Sequence, residues 1–121
     1  MRKASLILTT LFSLSLGAQN ITWQNVNLNV PFENTQAVFN LIDGFYSNID
    51  IPEGIRVSLW SIEFKGSSEK ATHVLNFAGT KESLVEFESR KLSSEWDAYV
   101  SRLNSLTQRD GYAVTAGVTL V

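Results

Sequence analysis

The sequence contains no cysteine, a single histidine, one methionine and two prolines. Without thiols, disulfide bonds and thiolate metal sites are excluded. No HxH, HExxH or clustered carboxylate pattern surrounds the one histidine, His73, so no metal site is expected. Glycine-rich phosphate loops and Ser-His-Asp spacing are missing as well, and no cofactor is expected. Basic residues are sparse and scattered, ten Lys and Arg against twelve Asp and Glu. With no basic stripe, the electrostatic case for binding nucleic acid or an anionic membrane is missing. A hydrophobic fraction of 44% is left to hold the domain together, with or without help from a second subunit.

The N-terminus reads "MRKASLILTTLFSLSLGAQN". Arg2 and Lys3 form a basic start, Ala4 to Leu16 an uncharged apolar segment, and Ser15, Gly17 and Ala18 a small-residue end. That is the layout of a secretory signal peptide, and the apolar segment is short for a membrane span. We therefore expect a leader over residues 1–18, cleaved near Gly17 or Ala18, and one domain over residues 19–121. The product is expected to be exported, periplasmic or secreted, with no membrane attachment after cleavage. Two of the ten basic residues leave with the leader, so eight remain against twelve acidic, a net charge of −4.

"ITWQNVNLNVPF" alternates, with Val26, Leu28 and Val30 on one face and Asn25, Asn27 and Asn29 on the other. Period two marks a strand with one apolar face, and Pro31 ends it. "NTQAVFNLIDGFYSNI" changes to a helical period through Val38, Leu41, Ile42, Phe45 and Tyr46, with Asn34 or Thr35 as the expected N-cap. Gly44 within this stripe is compatible with a helix lying close to a sheet. Ile55 to Phe64 is apolar on nearly both faces, which predicts a central strand covered on both sides. A polar loop, "KGSSEK", leads to a third strand from Ala71 to Ala78. Thr80 then caps a helical region reaching about Leu106, divided at Ser93 and Ser94 by a second cap. "YAVTAGVTLV" alternates as a last strand.

The order is β-α-β-β-α-β, which predicts an α+β domain: a four-stranded antiparallel sheet with helices on one face. With that order, the strand Ile55–Phe64 and the bipartite helical region carrying "SSEWDAYVSRL", the chain resembles the ferredoxin-like dimeric α/β-barrel superfamily. That group includes stress-responsive barrel proteins and antibiotic-biosynthesis-type monooxygenases. The resemblance implies a homodimer in which two open sheet faces enclose a barrel with a pocket in each half. It carries no catalytic signature, and fold alone does not supply function.

Within such a barrel, Asn25, Asn27, Asn29, Arg56, Trp60 and His73 are grouped around the interior, with Leu75 and Phe77 on the same face of their strand as His73. One reading is a non-catalytic protein that binds a small apolar molecule in a cavity lined by Trp60, Leu75 and Phe77. A second makes the chain a cofactor-independent monooxygenase or isomerase, with His73 as proton-transfer group and amides orienting the substrate. A third is an interaction module whose interior is packed shut. No acidic residue near His73 in sequence could orient it, which favours a sheet residue over a catalyst. Haem chemistry fits poorly, because in the resembling haem-degrading proteins the histidine comes from the helical side.

Overall fold

The computed structural model describes residues 20–91 and 93–120. The expected leader lies outside the described residues. Strand β1 is Thr22–Asn29, followed by a short 3-10 turn at Phe32–Asn34 and helix α1, Thr35–Asn48. Strands β2, Arg56–Ser61, and β3, His73–Gly79, form a hairpin. Helices α2, Lys81–Ser89, and α3, Ser94–Leu106, lead to β4, Gln108–Val118. All neighbouring strands are antiparallel, in the spatial order β2-β3-β1-β4. The chain is an α+β domain with a four-stranded sheet, as the period changes predict.

Local chemistry sets the boundaries. Thr80 Oγ1 accepts the Ser83 N–H at 3.1 Å, and Ser93 Oγ accepts that of Trp96 at 3.1 Å. Each fixes a helix start by satisfying an orphan donor. Asn34 precedes α1, but its side chain does not cap it. Its Nδ2 donates instead to the Leu106 carbonyl at 3.1 Å, tying the start of α1 to the end of α3. Along α1, Val38, Ile42 and Tyr46 recur every four residues and are buried; on α3 Tyr99, Leu103 and Leu106, spaced four and then three apart, are buried likewise. They close over Leu28, Leu75 and Phe77 of the sheet. An aromatic seam joins the helices, with Phe45 stacked on Tyr99 at 4.1 Å and Tyr46 edge-on to Phe77 at 5.5 Å.

Two sequence expectations change. The strand expected at the centre is an edge strand, and it stops at Ser61. One further bond, Ile62 N–H to the Thr72 carbonyl at 2.9 Å, closes the hairpin, and Phe64 beyond it is 97% exposed. Val57 and Leu59 pack towards the core, whereas the apolar residues of the other face meet no helix. Gly44 is exposed, and a β-carbon there would find nothing within 4 Å, so it permits no close helix–sheet approach.

Strand β4 carries a bulge. Asn27 faces Ala113, whereas Asn29 faces Gln108, so β4 has extra residues between them. Gly111 turns this corner at φ 93°, a backbone geometry open chiefly to glycine. Asn29 Nδ2 donates to the Asp110 carbonyl at 2.8 Å, and Lys70 Nζ bonds Asp110 Oδ2 at 2.8 Å.

Candidate functional site

Strand register divides the sequence-derived site into two groups on opposite faces. Trp60 pairs with Val74 and Ser61 with His73, while Asn27 pairs with Val74 and Leu28 with His73. Asn25, Asn27, Arg56 and Trp60 therefore share the open face. His73, Leu75 and Phe77 share the helix-covered face. The grouping of His73 with the asparagines and Trp60 is corrected by this parity. Leu75 and Phe77 are the most apolar side chains of β3 and are buried to 2% and 1% exposure; His73, two residues away, is carried to the same side.

The open face has a polar row running across all four strands. Ser58, Asn76, Asn25 and Thr115 stand in register, and Asn76 Nδ2 donates to Asn25 Oδ1 at 2.6 Å. Trp60 Nε1 donates to Ser58 Oγ at 2.9 Å. Asn29 is occupied by the bulge, and Arg56 is exposed at the sheet edge. These residues line an open sheet surface.

His73 is half-buried. Its Nδ1 lies 2.8 Å from Thr72 Oγ1, and its ring is edge-on to Phe39 at 6.3 Å. The same Thr72 hydroxyl accepts the Val30 N–H at 2.9 Å, so the imidazole belongs to a structural junction between strands. Burial lowers its pKa, and no carboxylate acts on it. His73 lines neither of the two principal cavities.

The larger of these, about 610 Å³, is a groove between α1 and the edge strand β2. Its polar residues satisfy one another at the surface: Gln36 Nε2 donates to Asn40 Oδ1 at 3.0 Å, and Ser47 Oγ to Asp43 Oδ1 at 3.3 Å. The second, about 340 Å³, lies between α3 and the helix-covered side of β1, β3 and β4. Leu28, Leu75, Phe77 and Leu103 supply apolar walls, and Tyr46, Tyr99, Glu88 and Lys91 also line it. Tyr99 is 4% exposed, and among the described residues its Oη makes no hydrogen bond of full geometry, only a weaker polar contact with the Tyr46 phenol. A buried hydroxyl short of hydrogen bonds is costly, and a water, an ion or a ligand oxygen at the cavity would each relieve that cost. Burial pushes Tyr99 up to about 12 and raises Tyr46 further; the charge and polar contact of the Tyr99 phenol and then Glu88 add to the effect on Tyr46, while the same contact works against the rise at Tyr99. Both stay neutral near pH 7, so they offer hydrogen bonds and not a base.

Sequence reading named Leu75 and Phe77, took Tyr99 and Trp96 for core residues of their helical stripe, and missed Tyr46 and Lys91 as lining residues. Tyr46 and Tyr99 sit on the buried stripes of their helices, and tyrosine there brings a hydroxyl into an apolar layer. That was the available signal. For Lys91, in the connection between α2 and α3, no signal in the sequence was comparable.

No protein-family model matches the chain, and no curated protein matches its sequence. Solved structures do match. An antibiotic-biosynthesis monooxygenase-like protein of Nitrosomonas europaea superposes with a TM-score of 0.54 at 11% identity, over 81% of this chain and 95% of that one. A NIPSNAP family protein of Agrobacterium tumefaciens gives 0.57 at 12% identity, over 85% and 86%. A dimeric ferredoxin-like protein of unknown function from Jannaschia sp. CCS1 gives 0.50 at 13% identity, over 84% and 99%. The chain thus has the ferredoxin-like fold of antibiotic-biosynthesis-monooxygenase-type proteins. At these identities the likeness extends to fold and no further.

Proposed function

We propose that this protein is an exported homodimer that binds a small, largely apolar molecule and does no chemistry on it. The molecule occupies the cavity between α3 and the sheet, not the space between two sheets, and carries an oxygen that meets Tyr99. The observation that carries this reading is the Tyr99 hydroxyl, buried at a largely apolar cavity of about 340 Å³ with no hydrogen bond of full geometry among the described residues. That volume also argues against a domain packed shut. Catalysis by His73 draws no support from its surroundings: it has no orienting carboxylate and lines neither principal cavity.

Dimerisation is supported by the open face. Trp60 is 62% exposed there, and Trp23, Val74, Ala78 and Ala113 lie on the same unpartnered surface. Export rests on the basic, apolar and small-residue succession of residues 1–18.

Native mass spectrometry of protein purified from the exported fraction tests all three parts. The expected species is a dimer of the chain cut near Gly17 or Ala18 that takes up 1-octanol. Loss of 1-octanol uptake in Tyr99→Phe would tie the ligand to the cavity. A processed chain that stays monomeric and takes up no such ligand would sink both the dimer and the binding reading.

A further inference from the structure

We propose that the cavity beneath α3 selects an amphipathic carboxylic acid, whose carboxylate bonds Lys91 in place of Glu88. This rests on the cavity being a ligand site and names the class of molecule it takes. Lys91 Nζ lies 5.1 Å from the Phe77 ring centroid, 5.0 Å from Phe87 and 4.9 Å from Trp96. These are cation–π distances, and three rings hold one ammonium. Its side chain is only 13% exposed, yet it lines the cavity. Glu88 Oε1 bonds it at 2.6 Å, from a side chain 52% exposed.

The two members of this pair are held unequally. Lys91 is enclosed by rings that belong to the core and to the start of α3. Glu88 reaches the rim of the cavity from α2, with about half its side chain in water. An ion pair between neighbours on an exposed helical turn contributes little, so Glu88 leaves at small cost and is rehydrated at once. An incoming carboxylate then inherits a charge-assisted hydrogen bond to an ammonium that the rings have already largely desolvated. A cationic ligand has the opposite problem. It would have to evict Lys91, which is tethered in its own cage. The asymmetry selects anions, and the apolar walls at Leu28, Leu75, Val100, Leu103 and Val114 select an apolar body behind the charge.

The test is isothermal titration calorimetry of octanoate and of 1-octanol into the full chain, with Lys91→Met, Lys91→Arg and Glu88→Gln beside the wild type. The acid should bind about tenfold tighter than the alcohol to wild-type protein, the size of one net charge-assisted contact. Lys91→Met should abolish that preference by weakening the acid about tenfold more than the alcohol, and Lys91→Arg should retain it. Glu88→Gln should tighten the acid several-fold by removing its competitor. Equal binding of acid and alcohol to the wild type, or a preference that survives Lys91→Met, overturns the proposal and leaves the cavity standing. If neither probe binds the wild type, the cavity reading fails and the acid selectivity falls with it.

Discussion

Trp23 lies across Gly117 of the neighbouring strand, so closely that a β-carbon on Gly117 would stand 2.5 Å from Trp23 Cζ2. The two residues are paired in the β1–β4 register. Glycine at this point of the edge strand makes room for the indole, and the indole in turn covers a backbone that has no side chain of its own.

Gly117→Ala should therefore lower stability by about 1–3 kcal/mol, the usual cost of overpacking. Thermal denaturation would show it, and tryptophan fluorescence should report a displaced indole. An unchanged melting temperature with unchanged emission would contradict the contact.

Tyr99→Phe removes a buried hydroxyl that makes no hydrogen bond of full geometry among the described residues. Stability should stay level or rise by about 1 kcal/mol, because the lost group was desolvated without compensation. Ligand uptake should fall at the same time. A clear drop in melting temperature would mean that the hydroxyl is bonded in the empty protein.

The tyrosines also set an alkaline limit. Tyr99 is raised from 10.0 to about 12 and Tyr46 is raised too, each chiefly by burial. Above pH 10 the unfolded chain releases these protons while the folded chain keeps them. Their contribution is thus intact below pH 10; that of Tyr99 is lost as pH climbs from there through about 12, and that of Tyr46 over a range reaching higher. Melting temperature should decline over this window, less steeply in Tyr99→Phe. A decline of equal slope in both proteins would remove Tyr99 as a cause.

His73 acts on the other side. Its folded pKa is lowered from 6.5 by burial, so the unfolded chain takes up a proton first as pH falls. Stability is present above 6.5 and is lost as pH drops through the folded value. His73→Gln should flatten this acid slope and leave ligand affinity unchanged. Loss of ligand affinity in that variant would return His73 to the site.

Gly44 is exposed within α1, and a β-carbon there meets nothing within 4 Å. Gly44→Ala should raise stability by about 0.5–1 kcal/mol through helix propensity alone. A loss in the same thermal scan would point to a contact on that face, such as one made by a second subunit.

Much of the fold was legible before the structure. The period change between β1 and α1, the caps at Thr80 and Ser93, and the division of the second helical region all depend on residues within a few positions of one another. Tyr46, Tyr99, Trp96 and Leu103 were legible as parts of apolar stripes. The candidate site was less so. Trp60 and His73 looked like companions because each could be given either face, and neither strand alone contains the information that chooses.

Element type and order followed from the sequence because backbone period, capping and turn chemistry are short-range. Tertiary structure alone decided that β2 is an edge, that His73 shares a face with Leu75 and Phe77, and that Lys91 is enclosed by three rings. It also decided that the Tyr99 hydroxyl is buried at a cavity without a hydrogen bond of full geometry among the described residues. These outcomes come from cross-strand register and helix docking between segments far apart in the chain, such as Leu28 opposite His73. A pleated strand exchanges its faces on a slip of one residue. The burial of Leu75 and Phe77 resolves that choice, and it does so only once α1 and α3 are in place to cover them.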